Sequence, residues 1–297
     1  MSVRNLLVTV LGVVCVAVLA VINVPQRPDG IDLAERASQF AGALEADAPY
    51  RPPTVREGRT ALDGLIPLLT GGKDTQSEMK TLTPLGFTVT DGRDTVSGRH
   101  FTLAASQPGD ERGWGMYLAD YGATPKLVIE VPHPNFDLDT EQVGVQLYRA
   151  LPGSAVLIAG AHRRAANGLA DVAHNANSLF NLVATQLARR GLPQVQLHGF
   201  DDDSLPGIGV VVSGGSTKHT ALHERIADRI EADGTVVCRA WQQSCGHLEG
   251  TTNVQGQAAD SMGAVFAHIE SDSEIRSRPE LRDRLVAALA AAINTGP

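Results

Sequence analysis

Aromatic residues make up only 4% of this 297-residue chain, and no block of lysine and arginine occurs anywhere in it. At a formal net charge of −8 it lacks the basic patch that phosphate neutralisation needs, and it has few rings on which bases could stack. Nucleic acid is therefore not an expected partner. Gly-x-Ser-x-Gly, Walker A and His-Glu-x-x-His are all missing. Their absence argues against a nucleophile-elbow serine hydrolase, an NTPase and a helical zincin. Internal repeats and low-complexity segments are lacking too. Cysteine is scarce: Cys15, Cys238 and Cys245 are the whole supply.

One long apolar run is present, residues 6–22 behind Arg4, and it carries no charge. A positive residue followed by about seventeen apolar ones reads as a signal peptide or signal anchor over residues 1–24. The run is long for a signal h-region, which favours an uncleaved anchor. Gly12-Val13-Val14 makes a poor lipobox before Cys15. The expected location is the cell membrane, single-pass with an extracytoplasmic domain, or the exterior as a secreted protein. Export also makes the other cysteines interpretable. In an oxidising compartment Cys238 and Cys245 are expected to pair and close a short loop, and their spacing is not the CxxC of a metal site.

With 43% apolar residues the chain can build one large domain, or one with a smaller appendage. Residues 25–106 read as a linker and N-terminal helical region, with helices over 31–46 and 60–69 on either side of a proline-rich stretch at 49–54. Pro67 weakens the second of these. Residues 107–297 read as an α/β catalytic-type domain. A hairpin joins strands over 100–105 and 115–119 through the turn-rich Gln107-Pro-Gly-Asp-Glu-Arg-Gly. Beyond it, strands over 126–131, 155–159, 195–197, 209–212, 235–240 and 264–269 alternate with helices over 140–150, 177–190, 218–232 and 279–293. Continuous Val/Ile/Leu strands between amphipathic helices predict an α/β fold. Its central sheet is mostly parallel or mixed, with helices on both faces, preceded by the N-terminal membrane helix. In such sheets ligands sit beyond the carboxyl ends of the strands.

Three strand-like runs end on polar groups. Leu127-Val-Ile-Glu-Val-Pro-His133 delivers an imidazole, Val195-Gln-Leu-His198 a second, and Val265-Phe-Ala-His268-Ile-Glu270 a carboxylate. A mononuclear zinc hydrolase needs two neutral imidazoles, a carboxylate ligand and a further acid to move protons. Asp137, Asp139 and Glu141 all lie within reach of His133. Glu141 is preferred, because a residue at a helix start is held more firmly than one in mid-loop. His133, Glu141 and His198 are thus the expected ligands of Zn2+, and Glu270 the expected general base. His268, two residues earlier on the same strand face, is an alternative ligand to His198. Arg163 and Arg164 follow a strand end and suit a substrate carboxylate or an oxyanion. Asp201-Asp-Asp203 reads as a solvated loop, and Ser213-Gly-Gly-Ser216 is too short to claim a phosphate.

This order of residues resembles the zinc carboxypeptidase / N-formylglutamate amidohydrolase superfamily, which also takes in phage poly-γ-glutamate hydrolases. The matching elements are Val131-Pro-His133, the helix opening Asp139-Thr-Glu141, Arg163 or Arg164 with Asp171-Val-Ala-His-Asn175, Gln196-Leu-His198-Gly199, and His268-Ile-Glu270. They span residues 126 to the C-terminus. The resemblance implies a zinc-dependent hydrolase cleaving an amide bond in a carboxylate-bearing, peptide-like substrate of the envelope or exterior. It gives Arg163 or Arg164 a role in oxyanion stabilisation and in binding a substrate carboxylate, and Asn175 a role in substrate binding. Two departures stand out. The His–acid spacing is longer than the His-x-x-Glu of carboxypeptidases, and Ala176 stands where the family's Asn-Arg pair has Arg. A non-catalytic envelope protein that holds a peptide or a protein partner in the same crevice is the alternative expectation.

Overall fold

In the computed structural model, which describes residues 30–294, the apolar runs form a nine-stranded mixed sheet. Its strands are β1 (Phe87–Arg93), β2 (His100–Ser106), β3 (Met116–Asp120), β4 (Leu127–Val131), β5 (Ser154–Ile158), β6 (Gln194–Gly199), β7 (Val210–Ser213), β8 (Val237–Arg239) and β9 (Phe266–Ser271), in the spatial order β1-β2-β3-β5-β4-β6-β9-β7-β8. The central β5, β4, β6 and β9 are mutually parallel. The β1–β2–β3 meander joins β5 antiparallel, and β7 joins β9 antiparallel. The expected hairpin is the β2–β3 pair. The expected domain boundary at 106/107 therefore falls between two strands of one sheet.

Helices cover both faces. They are α1 (Leu33–Gly42), α2 (Val55–Leu69), α3 (Thr75–Leu82), α4 (Thr140–Ala150), α5 (Leu179–Ala188), α6 (Ala221–Ala232), α7 (Val254–Ser261), α8 (Ser273–Ser277) and α9 (Pro279–Asn294). Alternate residues of β4 serve different cores, as a pleated strand requires. Leu127, Ile129 and Val131 pack toward α1, α4, α6 and α9, while Val128 packs toward α2 and α5. Seven helices start on the side-chain caps their sequences offer: Asp32, Thr54, Asp74, Ser178, Thr220, Asn253 and Asp272 each accept a backbone N–H of the first turn. Thr54 and Glu57 form a full capping box, so α2 begins well before the expected residue 60 and carries Pro67 within it.

The N-terminal membrane helix expected over residues 1–24 lies outside the described residues. Among the described residues no helix is long and apolar enough to cross a membrane. The expected disulfide is formed between Cys238 and Cys245, both buried. It closes the segment that leads from β8 to His247 and Leu248. Replacing both cysteines by alanine is expected to cost about 2 kcal/mol, the loop-closure entropy of so short a ring. The measurement is a fall in denaturant midpoint at constant slope; an unchanged midpoint would show that the loop is held by its packing alone.

A candidate metal centre at the carboxyl ends of three adjacent strands

Strands β4, β6 and β9 are neighbours, so the residues at their carboxyl ends share one crevice. His133 follows β4, His198 ends β6, and Glu270 lies directly opposite His198 in the β6–β9 register. The two imidazole rings stand 4.8 Å apart, centroid to centroid. Between Pro132 and Leu138 the chain doubles back. Asn135 takes a left-handed φ of 59°, and the carbonyl of His133 accepts the N–H of both Phe136 and Asp137. That reversal returns Asp137 to a place beneath His133.

Asp137 Oδ2 is the meeting point. It lies 3.1 Å from His133 Nδ1 and 3.1 Å from His198 Nδ1. Each ring turns its other nitrogen to a separate oxygen: His133 Nε2 is 2.8 Å from Asp171 Oδ1, and His198 Nε2 is 2.7 Å from Gln196 Oε1. With both rings neutral and donating from Nε2, their Nδ1 lone pairs face a carboxylate oxygen; burial opposes protonation of His133, but Asp137 and Asp171 on either side raise its pKa overall. In that form three acceptors converge, an arrangement a cation resolves, and the Arg163 guanidinium stands 3.4 Å from His133 Nδ1. His133, Asp137 and His198 form one group able to hold a metal ion; His198, His268 and Glu270 form an overlapping second. The donor set, two nitrogens and a carboxylate oxygen, is one that zinc accepts.

Glu141 does not reach this point. It is buried in the first turn of α4, where Oε1 accepts from Ser38 Oγ on α1 and Oε2 has no partner. The helix start places its carboxylate on the far side of the α4 turn, against α1. Asp139, the other acid considered, lies near Arg282. The carboxylate between the imidazoles is thus Asp137, from mid-loop.

Glu270 is buried on the cleft side of β9, and its Oε2 has no hydrogen-bond partner. Burial, helped by the negative charge of Asp137, pushes its carboxyl well above the ordinary range. His268 stacks obliquely on His198 at 4.6 Å, with its Nδ1 unpartnered. Burial first, then the neighbouring His198, drives its pKa well down. Burial likewise depresses His198, to about 4. Burial opposes ionisation of Asp137 as well, but the two histidines against it hold it far below the usual carboxylate range.

Arg163 enters the crevice from the β5 side. One of its nitrogens donates to Asp171 Oδ2 at 2.5 Å, and the other approaches His133 Nδ1 at 3.4 Å. Its guanidinium lies over the Phe136 ring, 4.9 Å from the centroid. Arg164 covers the same ring from 5.0 Å but does not line the crevice. Asn175 does not line the crevice: its side chain accepts from Asn177 N and donates to Leu169 O, bracing its own loop. The crevice, about 240 Å³, is walled further by His174, Phe200, His247 and Thr252. A larger hollow of about 820 Å³ beside β1 holds Asp91, Arg93 and His100, but neither metal-capable group. Asp171, His174 and Gln196 fall within the matching elements of the sequence without a role of their own, and His247 falls outside them. Of these, Asp171 carried a readable signal, as an acid in the segment after Arg163.

No family model and no curated protein matches the sequence. Solved structures do. A bacteriophage poly-γ-glutamate hydrolase shares 15% identity over 58% of this chain and 84% of its own, at a TM-score of 0.44. A Shewanella denitrificans protein named for carboxypeptidase A shares 16% over 74% and 66%, at 0.42. An N-acetylmuramoyl-L-alanine amidase from Clostridium difficile shares 12% over 58% and 96%, at 0.32. These overlaps are partial, and the chemistry of the site is read from this chain's own side chains.

One buried acid behind the site titrates on its own account. Glu130, fully buried on β4, has its carboxyl raised to about 8 by burial, against a single hydrogen bond from Gln196. A folded pKa above the unfolded value of about 4.3 means that Glu130 favours folding fully below that value. The contribution is lost as pH climbs toward 8. Glu130→Gln is therefore expected to gain stability at pH 8 relative to pH 5, on the order of a few kcal/mol. Denaturant unfolding at the two pH values measures it, and parallel behaviour of variant and parent would refute it.

Proposed function

We propose that this chain is an exported, zinc-dependent amide hydrolase whose substrate is peptide-like and carries a free carboxylate. The observation that carries the reading is the convergence of His133 Nδ1, His198 Nδ1 and Asp137 Oδ2, with the unpartnered carboxylate of Glu270 beside them. The disulfide agrees with an oxidising, extracytoplasmic place of work, reached through the apolar segment at residues 1–24.

His133, Asp137 and His198 would hold the ion. Zinc, when bound there, supplies Lewis acidity that activates water and polarises an amide carbonyl. Glu270 takes the proton of the attacking water at its free Oε2 and returns it to the departing amine nitrogen, a transfer its raised basicity suits. Arg163, fixed by Asp171 and the Phe136 ring, offers a cation to the developing oxyanion or to a substrate carboxylate. His174 and His247 at the rim offer further ring nitrogens to a peptide-like ligand.

Metal analysis of the purified full chain tests this. One zinc per chain is expected, and His133→Ala should lose it. Iron in place of zinc would redirect the reading to the oxygenases that use two histidines and one carboxylate. A chain that takes up no metal near neutral pH would instead be a peptide-binding envelope protein.

A further inference from the structure

The two imidazoles of the centre are oriented by different means. His133 Nε2 meets a carboxylate, Asp171, which can only accept while it is ionised. His198 Nε2 meets an amide, Gln196, and an amide can present either an oxygen or an NH2. If the NH2 faced His198, Nε2 would have to accept and the proton would move to Nδ1. That would remove the lone pair from the centre. Something must decide which way the Gln196 side chain lies.

The decision traces back to backbone groups, whose donor and acceptor roles are fixed. Asn253 caps α7: its Oδ1 accepts Gln255 N at 3.0 Å and Gly256 N at 3.1 Å. Its Nδ2 is thereby left to donate, and it donates to Gln196 Oε1. From the other side, the carbonyl of Val172 accepts Gln255 Nε2 at 2.9 Å, so Gln255 presents Oε1 to Gln196 Nε2 at 3.2 Å. The remaining hydrogen of Gln196 Nε2 goes to Glu130 Oε2 at 2.8 Å. All four bonding positions of the Gln196 amide are filled, two in and two out, and Gln196, Gln255, Asn253 and Glu130 are all buried. Turning the amide over would set its NH2 against the NH2 of Asn253 and its oxygen against Gln255 Oε1.

We propose that Asn253, Gln255 and Gln196 form a tautomer lock for His198. The α7 N-terminus and the Val172 carbonyl set the Gln196 amide, and its oxygen holds the imidazole proton on Nε2, leaving Nδ1 free to bind a metal ion. Gln196 is a positioning residue, acting on the centre only through His198. The consequence for metal affinity rests on the function proposed above; the tautomer itself does not.

The direct measurement is a long-range 1H–15N correlation spectrum of histidine side chains in the metal-free full chain near neutral pH. The His198 signals are assigned by their loss in His198→Gln. The Nε2–H pattern is expected. Asn253→Asp keeps the oxygen that caps Gln255 and Gly256 but replaces the donating NH2 by an acceptor, so the helix cap survives and the lock does not. Gln196→Met removes the acceptor outright. Both variants are expected to shift His198 toward the Nδ1–H pattern or an average of the two. Their zinc affinity, read by competition with a chromophoric chelator, should fall about 10- to 100-fold. An Nδ1–H pattern in the parent chain overturns the proposal. So do variants with parental circular dichroism, an unchanged His198 pattern and parental zinc affinity. Should Asn253→Asp fail to fold, the parent spectrum and Gln196→Met decide alone. A parent that shows Nε2–H yet binds no zinc keeps the lock and removes the hydrolase.

Discussion

Glu270→Gln is expected to lower turnover about 100- to 10,000-fold while leaving the metal content unchanged, the span that a positioned proton-transfer group commands. The amide matches the carboxylate in size, so β9 and the crevice wall should keep their packing. What is lost is the ability of Oε2 to take a proton. No hydrogen bond occupies that atom now, so the substitution breaks none there. Activity is measured on a panel of peptide amides with free carboxylates, and metal by elemental analysis of the same preparation. Retained turnover would remove Glu270 from the chemistry. Lost metal would instead make Glu270 a ligand, drawing the centre toward the His198–His268–Glu270 group.

The strands that build the centre were legible because their sequences are continuous apolar runs ending on a histidine or an acid. Parallel central strands made their carboxyl ends the place to look. The choice between acids was not legible in the same way. Helix-start position favoured Glu141, but the face it occupies depends on how the chain enters α4. That entry is set by the left-handed Asn135 and Asp139, which carry no apolar pattern. Asn175 went the opposite way, since its short-range bonds to Leu169 and Asn177 outweigh any outward role. Strand β1 escaped detection because Thr, Asp, Gly and Arg alternate along an edge with one buried face. Helix α7 escaped for a different reason. Its inward residues include Gln255, buried for hydrogen bonding rather than for apolar contact, so hydrophobic periodicity has little to register.

Gly199→Ala is expected to destabilise the fold by about 2–4 kcal/mol and to weaken the metal site from behind, through a buried arginine left without its carbonyls. A Cβ at position 199 would lie 1.8 Å from Arg276 Nη1 and 2.2 Å from its Cζ. Arg276 is buried and tied to three carbonyls: Leu138 on the loop that carries Asp137, Ser271 at the end of β9, and Phe200 just past β6. It thus fastens the Asp137 loop to the ends of the strands that carry His198 and Glu270. Burial lowers its pKa, while Asp137 and Glu270 lead the charges that support it. A side chain at 199 forces the guanidinium to leave, and a displaced cation must find water or strand its partners. At Gly160 the crowding atoms are backbone, so alanine there would act on the sheet itself and say nothing of the loop. The distinction is testable by a double-mutant cycle. With Arg276→Ala already in place, Gly199→Ala should cost little, because its obstacle is gone. Additive losses in denaturant unfolding would show that Gly199 is needed for some other reason, and the link from Arg276 to the Asp137 loop would have to be abandoned.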